Sequence, residues 1–586
     1  MDTYKFKTTP KDTHFQVPFE LSTKAFNEWL SSLKNNSATD QTHQVLLAIL
    51  AINQENTLAK QQKSMLLESI YKSMHIFLAP LSKPILNSSL PLAKQDKKNM
   101  QNIISIYAEL ANGFESCLSE ISDLSLAVTL FYGLQALINA YLSISEIYQQ
   151  TYPDFWKQAY KFYGLASRLK IQDLIIEQHA YHSNTVSKAF KHLLALHHCV
   201  LEQFRPRDMQ IISAYVEKHT SEMLLSKEFP VEKTSRYSGF DLTIDKPPTH
   251  LTRLKQSEHS TIGFFSAYTA AIDINKNATH KAPGTGVIKA INREFIIQAS
   301  KSLSLSQKRK FTRFNHQIER HGIIGFNRII KQLYDTSSLT PSAKNADCVD
   351  QNASRLVIKG YTVPDLQLVT QGYELLDTIE IERHRMKLSR NEQRKTDQAM
   401  KDSLSQNIWA TSDTKFQSEA PIKPDTFNIE DSSINGYRIL FDTDINQTTL
   451  QIGDIISINN NNTLEIGDII SINKNDTMEI GIIRRLAQLT EHKLQLGIKL
   501  LALESEICYI SLPNHDSFYA WAIFLPGIKA LNSADSVIFN DNKFQTGEII
   551  TLHRANTEPV SCRLNKLLHL SSAATHIELF NSMIKQ

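Results

Sequence analysis

From about Ser22 to Lys227, apolar residues return every three or four positions, in long blocks separated by short polar breaks. That period is the signature of amphipathic helices that pack their apolar stripes together. Leu46, Leu47, Leu50 and Ile52 form one such stripe, and Ile103, Ile104, Tyr107 and Leu110 form another. Pro153 and Asp154 are placed to open a further helix, because proline fits a first turn and an acid there complements the helix dipole. Phe155, Trp156, Tyr160 and Tyr163 would then face a core. Arg205-Pro206-Arg207-Asp208 divides two more blocks. The pattern predicts about six to eight helices, as a bundle or a TPR-like array, with no self-similarity of roughly 34 residues to select a true repeat. Residues 1–235 are therefore expected to form an all-α domain.

The pattern changes near Ser238, where Phe240, Leu242 and Ile244 alternate before the Pro247-Pro248 pair. Residues 236–334 read as a mixed, mainly helical connecting region that is basic toward its end. Residues 335–427 are rich in Ser, Thr, Asn, Asp and Gln, with few apolar islands such as Leu356 to Val363. This composition predicts a polar, partly disordered insertion. Past Phe427 the period becomes that of strands: Tyr437–Phe441, Leu450–Ile458, Leu464–Ile472, Met478–Ile483, Leu494–Leu501, Ile507–Leu512, Tyr519–Leu525 and Ile549–Leu552. Short strands at this spacing predict barrels or sandwiches. Residues 428–503 are assigned to one barrel and 504–586 to a second small β module, giving an α+β multidomain protein with antiparallel β-barrels at the C-terminal end.

Within the β region, LQIGDIISINNNNT (450–463) is followed directly by LEIGDIISINKNDT (464–477), identical at 11 of 14 positions. An even-numbered unit keeps every side chain on its original face of a strand, and its Asn-rich tail tolerates turn geometry. The duplication therefore reads as a tolerated extra hairpin, in preference to an added binding element.

Charge and composition narrow the function. With 63 basic and 60 acidic residues the chain carries a net charge of +3, too little for a broad nucleic-acid-binding field, so any anion site must be local. Cys117, Cys199, Cys348, Cys508 and Cys562 are widely spaced, form no CxxC pair and are odd in number, which argues against a disulfide framework or a zinc cluster and fits a reducing cytosol. Met1 to Pro18 lacks the basic start and apolar run of a secretory signal, so no export is expected. Leu124 to Ser145 carries no formal charge over 22 residues, but its Ser, Thr, Gln, Asn, Tyr and Gly favour a buried helix over a membrane span. GxSxG, Walker-type and HExxH signatures are absent, so no enzyme is expected. His179, His182, His192, His197 and His198 cluster in sequence without a carboxylate or thiolate set, which favours packing or surface roles over metal binding.

Two strings carry chemistry. Asp431-Ser432-Ser433-Ile434-Asn435-Gly436 reads DxSxxG ahead of a predicted strand. It offers a carboxylate acceptor for a nucleobase amide edge, a hydroxyl, and a glycine that admits close backbone approach. Arg309-Lys310-Phe311-Thr312-Arg313 reads RxxxR, two guanidinium groups on one side of the segment, able to fork onto phosphates and stack on purine rings. Arg390 and Arg394 repeat that spacing in a charged run better read as a solvated helical face.

RxxxR, DxSxxG at the head of a strand, and the following Gly467–Ile472, Gly481–Leu486 and Leu496–Leu500 stretches together resemble the PilZ domain, a six-stranded barrel family that binds cyclic di-GMP. The resemblance covers roughly 430–503; more loosely, the whole chain resembles large bacterial proteins with a helical N-terminal region, a PilZ-like barrel and a further β module. It implies that Arg309 and Arg313 hold the ligand's phosphates and guanine faces, that Asp431 and Ser433 contact a guanine, and that Gly436 shapes the turn. The expectation is a cytoplasmic cyclic di-GMP receptor whose helical region engages a protein partner, with no metal and no cofactor beyond that ligand. The alternative is a ligand-independent scaffold with a degenerate barrel.

Overall fold

The structure, a computed structural model, describes residues 16–119, 123–176, 184–231, 234–251, 261–280, 287–304, 313–336, 422–433, 436–446, 448–459, 478–512, 515–527, 534–540, 544, 546–555, 557–570 and 574–581. The first part of the chain forms helices α1 (Thr23–Ser32), α2 (Ala38–Gln54), α3 (Lys60–Ser82), α4 (Lys94–Ser116), α5 (Asp123–Glu146), α6 (Phe155–Leu169), α7 (Val186–His198) and α8 (Pro206–Lys218). Their starts follow local chemistry. The hydroxyls of Ser22, Ser37 and Thr185 accept from the backbone N–H groups of Ala25, Asp40 and Lys188, capping α1, α2 and α7.

The uncharged stretch predicted as a buried helix lies in α5, which packs against α3, α4, α6, α7 and α8. Among the described residues it is the one helix long and apolar enough to cross a membrane, yet 89% of its most apolar window is buried inside the protein. A helix surrounded on all sides has no face on which charge is tolerated, which accounts for its composition.

Helix α6 corrects one expectation. Asp154 does not cap it: the residue sits in a left-handed conformation at φ 65° and its side chain makes no capping bond. The cap comes from Asp245 instead, whose carboxylate accepts from the N–H groups of Asp154, Trp156 and Lys157 at 2.7, 3.0 and 3.3 Å. A residue about ninety positions away thus supplies the negative charge that the helix start attracts.

A small sheet follows, built from β1 (Leu224–Ser226), β2 (Ser238–Asp241), β3 (Thr249–His250) and β4 (Ile262–Ser266) in the order β1-β4-β2-β3. Then come α9 (Tyr268–His280) and α10 (Val287–Leu303). Strand β5 (Phe314–Ile324) and helix α11 (Phe326–Thr336) precede the polar segment, and β6 (Asp425–Ser433), β7 (Gly436–Asp442), β8 (Ile455–Asn459), β9 (Met478–Gln488) and β10 (Lys493–Ala502) come after it. These six strands close an antiparallel barrel in the order β10-β7-β6-β5-β8-β9. Its first strand therefore comes from ahead of the polar segment, outside the 428–503 interval expected from the sequence. Most of that segment, with Arg390 and Arg394, lies outside the described residues.

The two ends of the long connection are pinned beside each other. Ile324 and the buried Asp425 meet where the Asp425 carboxylate accepts from the Ile324 N–H at 3.2 Å and from Arg328 Nη1, on α11, at 2.7 Å. Thr448 donates to the same carboxylate and accepts from Arg328 at 2.8 Å. This clamp adds to the β5–β6 ladder, and loop-closure entropy that grows only logarithmically with length makes the long connection tolerable.

The tandem repeat begins near this clamp, two residues after Thr448. Its first copy gives a shorter strand than predicted: Leu450 pairs alone with Leu90, Gly453 turns the chain at φ 92°, and β8 starts only at Ile455. Asn459, at the end of β8, and Met478, at the start of β9, are register partners. The predicted strand Leu464–Ile472 lies outside the described residues.

The second barrel takes β11 (Glu506–Leu512), β12 (His515–Leu525), β13 (Ser536–Phe539), β14 (Ile549–Arg554), β15 (Val560–Leu570) and β16 (Thr575–Asn581) in the antiparallel order β11-β12-β13-β16-β15-β14. The first barrel shares one continuous apolar cluster with the helices, whereas the second has its own. Polar contacts reinforce the shared joint: Leu90 and Leu450 exchange backbone hydrogen bonds, Gln488 N–H donates to Tyr148 O at 2.8 Å, Arg205 Nε donates to Ile452 O at 2.9 Å, and Lys97 pairs with Glu491 at 2.7 Å. Burial at this joint pushes Asp208 up to about 7 and Asp454 up to about 6.

Candidate functional site

Antiparallel pairing brings the two predicted strings together. The register sets Phe314 opposite Ser432 and Asn315 opposite Asp431, so Arg313, just before β5, arrives beside the end of β6. Arg313 Nη1 donates to Asp431 Oδ1 at 2.6 Å across a separation of 118 residues. Asp431 is 4% exposed, and its other oxygen, Oδ2, lies 3.0 Å from Arg438 Nε on β7. The carboxylate is thus clamped between two guanidinium groups whose side chains remain more than a third exposed. Arg309, the other arginine of the RxxxR string, lies outside the described residues.

The DxSxxG string stands ahead of a strand, as the sequence suggests, and its first half also ends the strand before it. Asp431 and Ser433 end β6, Gly436 begins β7, and Ser433 and Gly436 are register partners of the hairpin. Ser433 Oγ donates to Gly436 O at 3.3 Å, across the hairpin's mouth. Gly436 takes φ 145°, and a Cβ there would stand 2.0 Å from Ile498 O on β10. Glycine is required at this position by backbone conformation and by the close approach of the neighbouring strand.

Polar groups inside the barrel lie below this end. Arg320 and Glu479 are buried, and Tyr437 OH donates to Glu479 Oε2 at 2.6 Å. Burial first, and the Glu479 carboxylate second, push the Tyr437 phenol well up. Buried charges are costly unless paired, so their presence at the end that carries the clamp marks a region not optimised for packing alone.

Arg438 was not singled out from the sequence. Its signal is its place on a strand whose alternate residues Ile439 and Phe441 are fully buried, which leaves Arg438 on the outer face directly after the DxSxxG string. Which acid it would meet was decided by register. The described histidines of the sequence cluster are packing residues: buried His192 bonds Ser213 at 3.1 Å, half-buried His197 bonds Tyr141 at 3.2 Å and buried His198 bonds Ser238 at 2.8 Å. Burial pushes His197 down to about 4 and His198 to about 3. His179 and His182 lie outside the described residues. Among the described residues no three His, Cys, Asp or Glu side chains are grouped to hold a metal ion.

Chemically, the end of the barrel offers two partly exposed arginine forks paired with one buried carboxylate, a hydroxyl, and a glycine-floored approach. Guanidinium forks of this kind pair bidentately with phosphate oxygens as they do with a carboxylate. Comparison with known proteins bears on the helical part: residues 24–230 match the family model for the N-terminal domain of the cyclic-di-GMP receptor FimW. That match spans α1 to α8, about a third of the chain, and ends before the barrels. No curated protein matches the chain.

Proposed function

We propose that the protein is a receptor for cyclic di-GMP, with Arg309, Arg313, Asp431, Ser433 and Gly436 forming its nucleotide site at the hairpin end of the first barrel. The observation that carries the reading is the 2.6 Å contact between Arg313 and Asp431. The similarity of residues 24–230 to the N-terminal domain of a cyclic-di-GMP receptor supports it independently, from a different part of the chain. In this reading the arginines neutralise the two phosphates and lie against guanine faces, while Asp431 accepts from a guanine edge and Ser433 from its flank. The role is binding, not catalysis; the setting is the cytoplasm, and the helical region carries the signal to a protein partner.

Ligand entry requires Arg313 to exchange part of its contact with Asp431 for a phosphate. Calorimetric titration of the full chain with cyclic di-GMP is expected to show saturable binding in the micromolar range or tighter, weakened by more than about tenfold in an Arg309→Ala, Arg313→Ala double variant. Absence of heat for the unaltered protein at about 100 μM ligand would remove the receptor reading. One observation favours the alternative of a ligand-independent scaffold: both oxygens of the Asp431 carboxylate are engaged, one by Arg313 and one by Arg438. Under that alternative the double variant changes stability and nothing else.

A further inference from the structure

A single cross-strand row connects the clamp to the helices. Asp431 on β6 is in register with Arg438 on β7, Arg438 with Gly497 on β10, and Gly497 with Arg485 on β9. Arg485 then leaves the barrel to form an ion pair with Glu202, in the short helical turn Leu201–Gln203 between α7 and α8. The row therefore runs acid, arginine, bare backbone, arginine, acid. Neighbouring strands lie about 4.8 Å apart, so the two arginine Cα atoms, two strands from each other, are separated by roughly 10 Å. Side chains of that length reach a common point above the strand between them.

Gly497 makes the gap. A Cβ placed there would stand 3.0 Å from Arg485 Cβ, so any side chain at 497 would press on the arginine and fill the space between the two forks. Flanking residues on the same strand are Gln495, held by Glu430 at 2.7 Å, and Lys499, which is in register with Gly436 of the DxSxxG string. The gap thus adjoins the proposed nucleotide site.

We propose that the bare backbone at Gly497 is an anion seat shared by Arg438 and Arg485, and that a ligand phosphodiester placed there draws Arg485 away from Glu202, loosening the barrel from the helical domain. The proposal rests on the nucleotide reading given above and assigns its regulation. Each arginine is held in the free protein by one acid at an outer end of the row, Asp431 on one side and Glu202 on the other. A dianionic guest competes with both at once. The side of the competition that matters for signalling is Glu202, because this acid belongs to the helical domain and lies beside half-buried His197 and buried Tyr141. Losing its partner is felt within that core, whereas losing Arg438 affects only the barrel.

The test titrates the full chain with cyclic di-GMP by calorimetry and follows hydrogen exchange across Leu201–Lys218 with and without the nucleotide. Glu202→Gln removes the competitor for Arg485 and is expected to tighten binding by about 2- to 5-fold, the range of an exposed ion pair. It is also expected to abolish the nucleotide-dependent rise in exchange. Arg485→Gln is expected to weaken binding by about 5-fold or more, and the Glu202→Gln effect should vanish in its background. If Arg485→Gln lowers the melting temperature, Glu202→Gln remains an independent arm, since amide replaces carboxylate without a change of shape. An unaltered protein that binds no nucleotide overturns the receptor reading and this coupling with it. Binding by the unaltered protein with both single variants unchanged, or with Glu202→Gln weaker, overturns the coupling alone.

Discussion

The two barrels have the same number of strands and the same antiparallel pairing, but they handle charge in opposite ways. Within the first, Arg320, Asp425, Asp431 and Glu479 are buried; within the described part of the second, the buried polar residues are Ser511, Ser536, Thr575 and His576, none of them a carboxylate, lysine or arginine. The described part of the second barrel closes around its own apolar cluster, which includes Ile510, Phe524, Val537, Ile550 and Leu564. The charges of the first must be explained by what its ends do. One end closes the chain across the long polar connection through Arg328 and Asp425, and the other presents the Arg313–Asp431–Arg438 clamp.

The strongest way to break the comparison is to remove a charge on which the first barrel depends. Asp425→Ala leaves Arg328 without its carboxylate at the pinned ends of the connection and should cost about 3 to 5 kcal/mol, read as a lowered midpoint in urea unfolding. Amides of β5 and β6 should lose protection while those of β11 to β16 keep theirs. Equal protection loss in both barrels would show that they unfold as one unit.

A cavity in the second barrel supplies the counterpart. Ile550 on β14 is fully buried in the second barrel's own apolar cluster, and Ile550→Ala should cost about 3 kcal/mol while leaving nucleotide affinity unaltered. A shift in affinity beyond about twofold would mean that the second barrel takes part in the site.

Smaller effects come from pH, with opposite signs in the two places. Asp208 and Asp454, at the joint between helices and first barrel, are raised by burial to about 7 and about 6 from an ordinary value near 3.9. The folded state holds their protons more tightly, so their favourable contribution is complete below about pH 4 and is lost as pH rises through 6 to 7. His576 is pushed down to about 4, by burial first and then by nearby Lys499 and Arg484. Its contribution is complete above its ordinary value near 6.5 and is lost as pH falls toward 4. Hydrogen exchange corrected for intrinsic rates should therefore show the joint loosening from pH 5 to 8, and β13 and β16 loosening from pH 6.5 to 4. His576→Gln should remove the second trend and leave the first.

The smallest expected effect concerns the clamp itself. Arg313 is well exposed and Asp431 retains Arg438, so Arg313→Ala should change unfolding free energy by less than about 1 kcal/mol. A far larger loss would make the pair a structural clamp like Arg328–Asp425 and would favour the scaffold alternative.

Much of this was legible along the chain. The period of apolar residues located the helical domain and the buried α5, and the alternation past Phe427 located most strands of both barrels. The strands β6, β13, β15 and β16 were not singled out; β6 lay within or against a polar stretch, and β15 ends in consecutive exposed residues such as Lys566, Leu567 and Leu568 that blur alternation. At the site, Arg313, Asp431, Ser433 and Gly436 were named from their chemistry, whereas Arg438, Arg485 and Glu202 were not, because nothing local distinguishes them from other surface charges.

By itself the sequence determined the helical segments of the first domain and most of the strands, since periodicity acts within a few residues. It also determined that a carboxylate, a hydroxyl and a glycine stand together at 431–436, a matter of adjacency alone. The tertiary structure decided which strand lies beside which, and hence that Arg313 meets Asp431, that Asp245 caps α6, and that Arg485 faces Glu202. These are pairings between distant residues, fixed by barrel closure and by the burial of one shared core, and no short-range pattern encodes them.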